Sequence, residues 1–312
     1  MKAAWHEQAT RADFAAMALL VAEEAAALLL GGYRSRPRAD KKGRTDLVTE
    51  FDRRSEDLIL ARLTSLSPDI PIVAEEQSFT GVVRPAIAMV APEGEPLSGQ
   101  DAAPRTSGRD AAPRASVPGL VWYVDPLDGT TNYVHGHPFY CVAIGLMQDD
   151  APIAGAVVAP SIGVRWSGWV GAGAGHQDGQ PIHGAARRNE ERCRVSATSV
   201  LSESLVATGF PPNRDIAPEN NFDSFMAVKK AAQGVRRCGS AAMDLCLVAD
   251  GTYDAYWERR LHSWDVVAAS AIVLAAGGRI TALDGGFPDY HVGHLVASNG
   301  HVHEELIAAI HR

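Results

Sequence analysis

The segment that decides the fold is VDPLDGTTN, residues 124–132. Two carboxylates, Asp125 and Asp128, lie three residues apart in a turn, and Gly-Thr-Thr follows them directly. Mg²⁺ is usually held by one or two carboxylates together with substrate phosphate oxygens. Gly-Thr-Thr can begin a helix, whose free N–H groups bind anions. The segment therefore predicts cation ligands and a phosphate site side by side, although Pro, Asp and Gly also form ordinary surface turns.

The residues just before this turn favour a β-strand. Val121 to Val124 (VWYV) are β-branched and aromatic side chains, which are enriched in strands. We therefore expect Asp125 at the end of a strand, where a ligand can reach it.

A second acidic segment follows the apolar run at residues 72–74. Glu75 and Glu76 come directly after it, which is unusual for the end of a buried strand. A third begins at Trp264-Asp265, where an Ala-rich run predicts a helix with Ser263 as its N-cap. Taken alone, the glutamates could be a solvated strand end, and Asp265 could complement the helix dipole, worth ~0.3–1 kcal/mol. Together with the turn at 124–132, the three segments favour one shared site.

Thr49 is predicted to begin a further helix that runs to about Leu66. Thr49 and Asp52 have the spacing of a capping box. Asp52 therefore has a structural explanation, which is compatible with a functional one if the capped turn faces the site.

Four blocks of the chain resemble the inositol monophosphatase family of Mg²⁺-dependent, lithium-sensitive sugar-phosphate phosphatases. They are KKGRTDLVTEFD (41–52), AEE (74–76), DPLDGTTNYVHGHP (125–138) and GSAAMDLCLVADGTYDAYWERRLHSWD (239–265). The resemblance covers nearly the whole chain. It implies an α/β fold, a layered αβαβα sandwich of the inositol monophosphatase/fructose-bisphosphatase type, as one catalytic unit with sub-regions at about 1–190 and 191–312. It also implies a homodimer.

The resemblance implies metal ligands and catalytic residues. A first Mg²⁺ is expected at Glu75, Asp125 and the backbone carbonyl of Leu127, and a second at Asp125, Asp128 and Asp265. A third, weaker ion would use Glu75 and water. Asp52 and Thr130, with Glu75, are the expected catalytic residues, because Thr130 and Asp52 would orient and deprotonate the attacking water.

The resemblance also implies contacts with the substrate and supporting residues. Glu76 is expected to support Glu75, and Lys41 to be the basic residue near the site. Phosphate would rest on the N–H groups of Gly129 and Thr130. The full set of expected substrate contacts is Leu127, Asp128, Gly129, Thr130, Gly239, Ser240, Ala241, Glu258 and Asp265.

The composition restricts the possible partners and location. A formal charge of −8 over 312 residues argues against a broad nucleic-acid surface, and bound Mg²⁺ would offset the repulsion of a phosphate substrate. Four cysteines without C-x-x-C spacing are typical of reduced thiols in the cytoplasm. No apolar stretch is expected to reach membrane-spanning length, so no membrane contact is predicted.

One segment departs from the family pattern. Residues 80–118 are rich in Pro, Ala and Gly and are predicted to form a flexible insertion between two ligand-bearing segments. It could be a lid, an interface or, as we favour, a passive surface excursion.

The substrate is predicted less directly than the chemistry. Thr131-Asn132 is the inositol-phosphatase form of the motif, and Glu258 suits a polyol hydroxyl, so the resemblance favours myo-inositol 1-phosphate. Related enzymes hydrolyse fructose 1,6-bisphosphate or histidinol phosphate with the same residues. A different class also stays open, because some relatives are regulatory binding partners in transcription. The basic segment 34–44 and the insertion at 79–118 are the two candidates for such a contact.

Overall fold

The computed structural model describes residues 9–43, 47–80, 119–171 and 184–312, without the side chains of residues 78–80. The predicted insertion at 80–118 therefore lies outside the described residues, apart from the backbone of its first residue.

The first part of the chain contains four helices and nine strands within these ranges. In order they are α1 (Arg11–Gly32), β1 (Ala39–Lys41), β2 (Leu47–Thr49), α2 (Glu50–Leu66), β3 (Ile72–Ala74), α3 (Glu75–Thr80), β4 (Leu120–Asp128), α4 (Thr130–His135), β5 (Cys141–Gln148), β6 (Ala151–Ala159), β7 (Val164–Val170), β8 (Gly184–Arg188) and β9 (Glu191–Arg192). The expected strand before Asp125, the helix to Leu66 and the helix at Gly-Thr-Thr are all confirmed.

The second part alternates strands and helices. In order they are β10 (Leu205–Thr208), α5 (Phe222–Ala231), β11 (Gly234–Arg236), α6 (Ala241–Ala249), β12 (Ala255–Glu258), α7 (Ser263–Ala275), β13 (Arg279–Thr281), β14 (Leu295–Ser298) and α8 (His303–Ile310). Short 3₁₀ turns at Pro160–Ile162 and Leu201–Glu203 precede β7 and β10.

Two mixed sheets form the body of the molecule. The larger has the order β3-β4-β5-β6-β7-β8-β9, with β3 parallel to β4 and the following pairs antiparallel. The smaller has the order β11-β10-β12-β14-β13. Helices α1 and α2 cover the outer face of the large sheet, α6 and α7 fill the space between the sheets, and α5 and α8 cover the small sheet. This is the predicted αβαβα sandwich.

Helix α1 corrects one expectation. Its 22 residues are long enough and apolar enough to cross a membrane, so the prediction that no apolar stretch reaches that length was wrong. Its apolar content has an explanation inside the fold, because α1 packs against β5, β6, β7 and α2. Phe14, Val21 and Leu29 are among its nine buried residues, all part of the core on that side of the large sheet.

Helix α7 lies directly on the backbone of the large sheet. Every residue of α7 except Asp265 is buried. Gly145, Gly155 and Gly168 pair side by side across β5, β6 and β7 and form a track beneath the helix. A Cβ at Gly145 would lie 2.4 Å from the Ala268 nitrogen, and one at Gly155 would lie 2.2 Å from the Ala268 oxygen. The glycine track therefore sets the distance between α7, which carries Asp265, and the sheet, which carries Asp125.

Candidate active site

An open cleft collects most of the residues that the sequence singled out. It has two adjoining chambers, of about 310 Å³ and about 200 Å³. The first chamber is lined by the end of β4 and the start of α4, through Asp125 and residues 127–132, and the second by Gly239–Ala241 and Glu258. Both are lined by the predicted ligands Glu75, Asp128 and Asp265.

The turn after β4 takes its shape from a shift in pairing and from one glycine. The register between β4 and β5 shifts between Asp125 and Asp128, and the Asp125 Oδ1 accepts a hydrogen bond from the Leu127 N–H at 3.0 Å. Gly129 then has φ +91°, and a Cβ there would lie 2.9 Å from the Phe139 carbonyl oxygen. Because an L side chain rarely adopts this conformation, glycine is required where α4 begins.

Four carboxylates repel one another in the first chamber. Asp125 is 2% exposed, and burial, followed by the charges of Glu75, Asp128 and Asp265, raises its pKa well above the ordinary value. Burial also raises the pKa of Glu75 well above its usual range. Burial and the Asp265 charge raise the pKa of Asp128 to about 7. Such mutual destabilisation of the charged forms is what a bound cation relieves.

Lys42, and not the neighbouring Lys41 that the sequence singled out, is the lysine that pairs with the glutamates of the site. The Lys42 Nζ lies 3.0 Å from the Glu75 Oε1 and also pairs with Glu76. Lys41, the last residue of β1, is exposed. Burial alone lowers the pKa of Lys42, but the two glutamates outweigh it and raise the pKa. Glu76 therefore meets Glu75 through a shared ammonium group.

Asp52 has both of the roles that the sequence left open. Its Oδ2 accepts hydrogen bonds from the Thr49 N–H at 2.8 Å and the Thr49 hydroxyl at 2.6 Å, which closes the predicted capping box. Its Oδ1 lies 3.0 Å from the Thr130 Oγ1 in the first chamber. Asp52 is fully buried, and burial raises its pKa. The capped turn of α2 therefore faces the site.

Asp128 joins the two chambers. Its Oδ2 accepts hydrogen bonds from the Ser240 hydroxyl at 2.7 Å and the Ala242 N–H at 2.8 Å. Ser240 is also the N-cap of α6. A second link comes from Asn132, whose amide donates to the Phe139 carbonyl at 2.7 Å and the Cys238 carbonyl at 2.9 Å. The start of α6 is thus fixed against the turn that carries Asp125.

The floor of the second chamber holds Glu258, at the end of β12. Its side chain accepts a hydrogen bond from the Tyr256 hydroxyl, and burial raises its pKa to about 7. Gly209 packs against the carboxylate so closely that a Cβ there would lie 2.0 Å from the Glu258 Oε2. Glu258, Gly239, Ser240 and Ala241 therefore line one chamber, next to Asp128.

Asp265 lies in the first turn of α7, as predicted, but the cap differs from the expected one. His262 is the N-cap and donates its N–H to the Asp265 Oδ2 at 2.7 Å, and Ser263 is the first helical residue. Because His262 directly precedes the predicted cap Ser263, the error moves the helix start by one residue and leaves Asp265 in the cleft.

A family model described as the inositol monophosphatase family matches residues 10–312. The chain belongs to the inositol monophosphatase family. An inositol-1-monophosphatase of Synechocystis sp. is 35% identical over 271 residues, which cover 86% of this chain and 79% of that protein. The solved inositol monophosphatase of Anabaena (Nostoc) sp. PCC 7120 has a TM-score of 0.71 at 34% identity and covers 96% of this chain and 95% of its own.

Another relative carries a different name. The Nus factor SuhB of Pseudomonas aeruginosa is 31% identical over 301 residues, which cover 94% of each protein. Membership of the inositol monophosphatase family shows that the chain is a phosphatase acting on phosphorylated substrates. It does not choose among these substrates.

The first chamber of this inositol monophosphatase family member fits a hard divalent cation by its donor atoms. Asp125 accepts one hydrogen bond from the described residues although it is buried. The oxygen atoms around it that could coordinate a cation belong to carboxylates and to the Leu127 carbonyl. Within the described ranges, no three His, Cys, Asp or Glu side chains already form a closed ligand cluster. The chemistry of the donor set suits Mg²⁺, and mutual repulsion explains why the carboxylates stand apart.

The sequence interpretation missed other residues that line the cleft. Arg237 borders both chambers, and Asp244 and Arg260 line the second. Asp244 carried a signal in the sequence, because it is the charged residue in the apolar helix Ala241–Ala249. Its position at the cleft depends on how α6 packs between the sheets, which local sequence does not specify.

Proposed function

We propose that this protein is a Mg²⁺-dependent phosphomonoesterase that hydrolyses myo-inositol 1-phosphate to myo-inositol and phosphate. The observation that carries the proposal is Asp125, a buried carboxylate with one hydrogen bond from the described residues and three carboxylates close enough to raise its pKa. Like charges around a buried carboxylate destabilise a purely structural aspartate. They would stabilise the protein once Asp125 and its neighbours hold cations between them.

The proposed ligands follow the two sides of Asp125. Glu75, Asp125 and the Leu127 carbonyl would hold one Mg²⁺, and Asp125, Asp128 and Asp265 would hold the other. Bound Mg²⁺ supplies a water of lowered pKa and neutralises charge on the attacking and leaving oxygens. A third ion at Glu75 belongs to the same proposal.

Asp52 and Thr130 are the proposed route for the proton of the attacking water. The Thr130 Oγ1 lies 3.0 Å from the Asp52 Oδ1 and 3.1 Å from the Leu127 carbonyl oxygen. A buried carboxylate with a raised pKa is a better proton acceptor than an exposed one. Thr130 would orient the water, and Asp52 would accept its proton through the threonine hydroxyl.

The two chambers divide the substrate between them. The first N–H groups of α4, at Gly129 and Thr130, lie beside the carboxylates and would hold the phosphate. The alcohol part would enter the second chamber, against Gly239–Ala241 and Glu258. A carboxylate floor favours hydroxyl groups, which donate hydrogen bonds to it.

The test is phosphate release from a panel of monoesters with and without Mg²⁺. We expect myo-inositol 1-phosphate to be hydrolysed fastest, ahead of fructose 1,6-bisphosphate and histidinol phosphate, with activity lost in EDTA and inhibited by millimolar Li⁺ and by Ca²⁺. Activity that is insensitive to EDTA would contradict the metal-based mechanism. A clear preference for another ester would keep the mechanism and replace the substrate.

A regulatory role in transcription is the second candidate, supported by the relative named Nus factor SuhB. It is tested by in vitro transcription with wild-type protein and the Asp125→Asn variant. A change in termination that survives in the inactive variant would establish a role separate from catalysis. The proposed homodimer is tested by light scattering on the purified protein.

A further inference from the structure

The floor of the second chamber contains a second buried carboxylate beside Glu258. Asp244 lies in the first part of α6, four residues after the N-cap Ser240. It is 2% exposed and lines the chamber, and Glu258 is 9% exposed. The Asp244 Oδ1 has no hydrogen-bond partner among the described residues.

The surroundings of Asp244 do not explain it as part of the core. Its helix is otherwise apolar, with Met243, Leu245 and Cys246 fully buried around it. Burial, followed by the charges of Glu258 and Asp128, raises the pKa of Asp244 well above its ordinary value. The charge of Arg237 and a hydrogen bond with the Cys238 side chain act against this shift, and the Oδ1 is left unpartnered among the described residues. A buried carboxylate oxygen without a hydrogen bond destabilises a fold, and an apolar side chain of similar size would remove that cost.

In the second chamber the negative charges are buried and the positive charges are exposed. Asp244 and Glu258 lie on the floor, whereas Arg237 and Arg260 are exposed at its rim. The rim can attract an anionic substrate from solution. The floor offers acceptors to neutral donors, and it repels any second phosphate group.

We propose that Asp244 is a further substrate-binding residue, whose Oδ1 accepts a hydrogen bond from a hydroxyl of the alcohol that carries the phosphate. With Glu258 it forms a pair of acceptors that selects phosphate monoesters of polyols with at least two free hydroxyls. This inference rests on the proposed function and extends it to a residue outside the predicted contacts. Hydrogen bonds to a charged acceptor are about twice as strong as neutral ones, so the pair favours hydroxyl-rich alcohols.

The test compares two substrates in matched variants. We would measure kcat and KM with myo-inositol 1-phosphate and with phenyl phosphate, which has no hydroxyl on its alcohol part. Asp244→Ala should lower kcat/KM for myo-inositol 1-phosphate by about 10–100-fold, mainly through KM, the loss expected for a hydrogen bond to a charged group. Phenyl phosphate should change less than about twofold. Asp244→Asn keeps one acceptor oxygen and should lose less than the alanine variant.

Two controls separate binding from folding. Asp57 on α2 is exposed, so Asp57→Asn serves as a matched surface variant. It should leave kcat/KM unchanged for both substrates. The Tm of both Asp244 variants should be no lower than that of wild type, because each removes an unsatisfied buried charge. Equal losses on both substrates, or a lowered Tm with no difference between the substrates, would show a structural role and overturn the proposal.

A binding measurement tests the role of Asp244 independently of whether the protein hydrolyses the ester. The rise in Tm caused by unphosphorylated myo-inositol is measured in metal-free wild type, Asp244→Ala and Asp57→Asn. If wild type releases no phosphate from either ester, the proposed function fails, and this shift decides the role of Asp244. A shift that is lost in Asp244→Ala alone supports the acceptor. No shift in wild type, or equal shifts in all three proteins, overturns it.

Discussion

Asp125 and Asp254 are both buried aspartates, but their surroundings are opposite. The Asp254 Oδ1 accepts a hydrogen bond from the Ser196 hydroxyl at 2.6 Å, and its Oδ2 accepts one from the Leu205 N–H at 2.7 Å. Asp125 accepts one hydrogen bond, from its own turn, and faces like charges. Buried polar groups are normally satisfied, so this exception among the described residues supports the proposal that Asp125 binds a cation.

The region around Asp254 extends this contrast. Asn299 donates to the Ser196 Oγ and to the Thr198 carbonyl, both at 2.8 Å, and accepts from the N–H groups of His301 and Val302. Each polar group in this network satisfies the hydrogen-bonding capacity of another, and together they hold a loop against the small sheet. In the cleft, by contrast, Asp125 faces the charges of Glu75, Asp128 and Asp265, although Lys42 pairs with Glu75. The polar network around Asp254 therefore stabilises the fold, whereas the carboxylates around Asp125 destabilise the metal-free protein.

The largest expected effect is that of Asp125→Asn. We expect activity to fall by more than about 10³-fold, because electrostatic stabilisation of the reacting groups is commonly of this size. The Tm of the metal-free protein should stay unchanged or rise, because one of four repelling charges is removed. Phosphate release and calorimetry measure the two quantities. Near wild-type activity at saturating Mg²⁺ would remove Asp125 from the bridging position.

Asp254→Asn should have the opposite effect. The new side-chain NH₂ would face a donor, either the Ser196 hydroxyl or the Leu205 N–H, and break the network. We expect a loss of about 2–4 kcal/mol in the free energy of unfolding. The kcat of the folded fraction should be unchanged. A stable Asp254→Asn protein with reduced kcat would erase the contrast between the two aspartates.

Lys42→Ala tests the ammonium group that pairs with Glu75 and Glu76 within the described part of the chain. Side chains on both sides of the pair are nearly buried, with 10% exposure for Lys42 and 16% for Glu75. Removing the lysine should lower the stability of the metal-free protein by about 1–3 kcal/mol, and Mg²⁺ should restore more of it than in wild type. Lys41→Ala, the matched control, should change stability by less than about 0.5 kcal/mol. Equal effects of the two variants would return the role to Lys41.

Glu56→Gln should give the smallest effect, and one that depends on pH. Burial, followed by the Glu76 charge, raises the pKa of Glu56 to about 7, against the hydrogen bond that Glu56 accepts from the Glu76 N–H at 2.7 Å. A raised carboxyl pKa contributes stability below the ordinary value of 4.5, and this contribution is lost as pH rises through 7. Gln does not ionise, so the variant should match wild type near pH 4.5.

The gain of Glu56→Gln should then grow up to about pH 7. At pH 8 the metal-free variant should be more stable by on the order of 1–2 kcal/mol, allowing for solvent screening. Denaturant unfolding at the two pH values measures the difference. A gain that is already present at pH 4.5 would mean that packing, and not ionisation, is responsible.

The sequence predicted the features of this site that are local or belong to a family motif. The capping box of Thr49 and Asp52 spans four residues, and the segment from Asp125 to Gly129 is continuous, so short-range rules apply to both. The resemblance supplied the partnership of distant segments, such as Glu75 with Asp265. Layer order followed from the same resemblance, and the structure agrees with it.

The features that were missed depend on the tertiary structure. Neighbouring side chains on a strand or loop point in different directions, so sequence cannot choose between Lys41 and Lys42 without the position of Glu75. The N-cap at His262 was missed because Ser263 has the side chain that usually caps a helix, whereas histidine is not among the preferred caps. The role of Asp244 depends on which side of α6 faces the cleft. The apolar residues of α1 were visible in the sequence, but the sheet that they cover was not.

The glycine track under α7 has a consequence for how variation in this protein should be interpreted. A methyl group at Gly145 or Gly155 would collide with the Ala268 backbone and push the helix away from the sheet. Asp265 would move with the helix, away from Asp125. In a library of random variants, substitutions at these glycines should therefore lower activity like changes of catalytic residues, although they lie under α7 on β5, β6 and β7. Activity therefore depends on three glycines that do not themselves line the cleft.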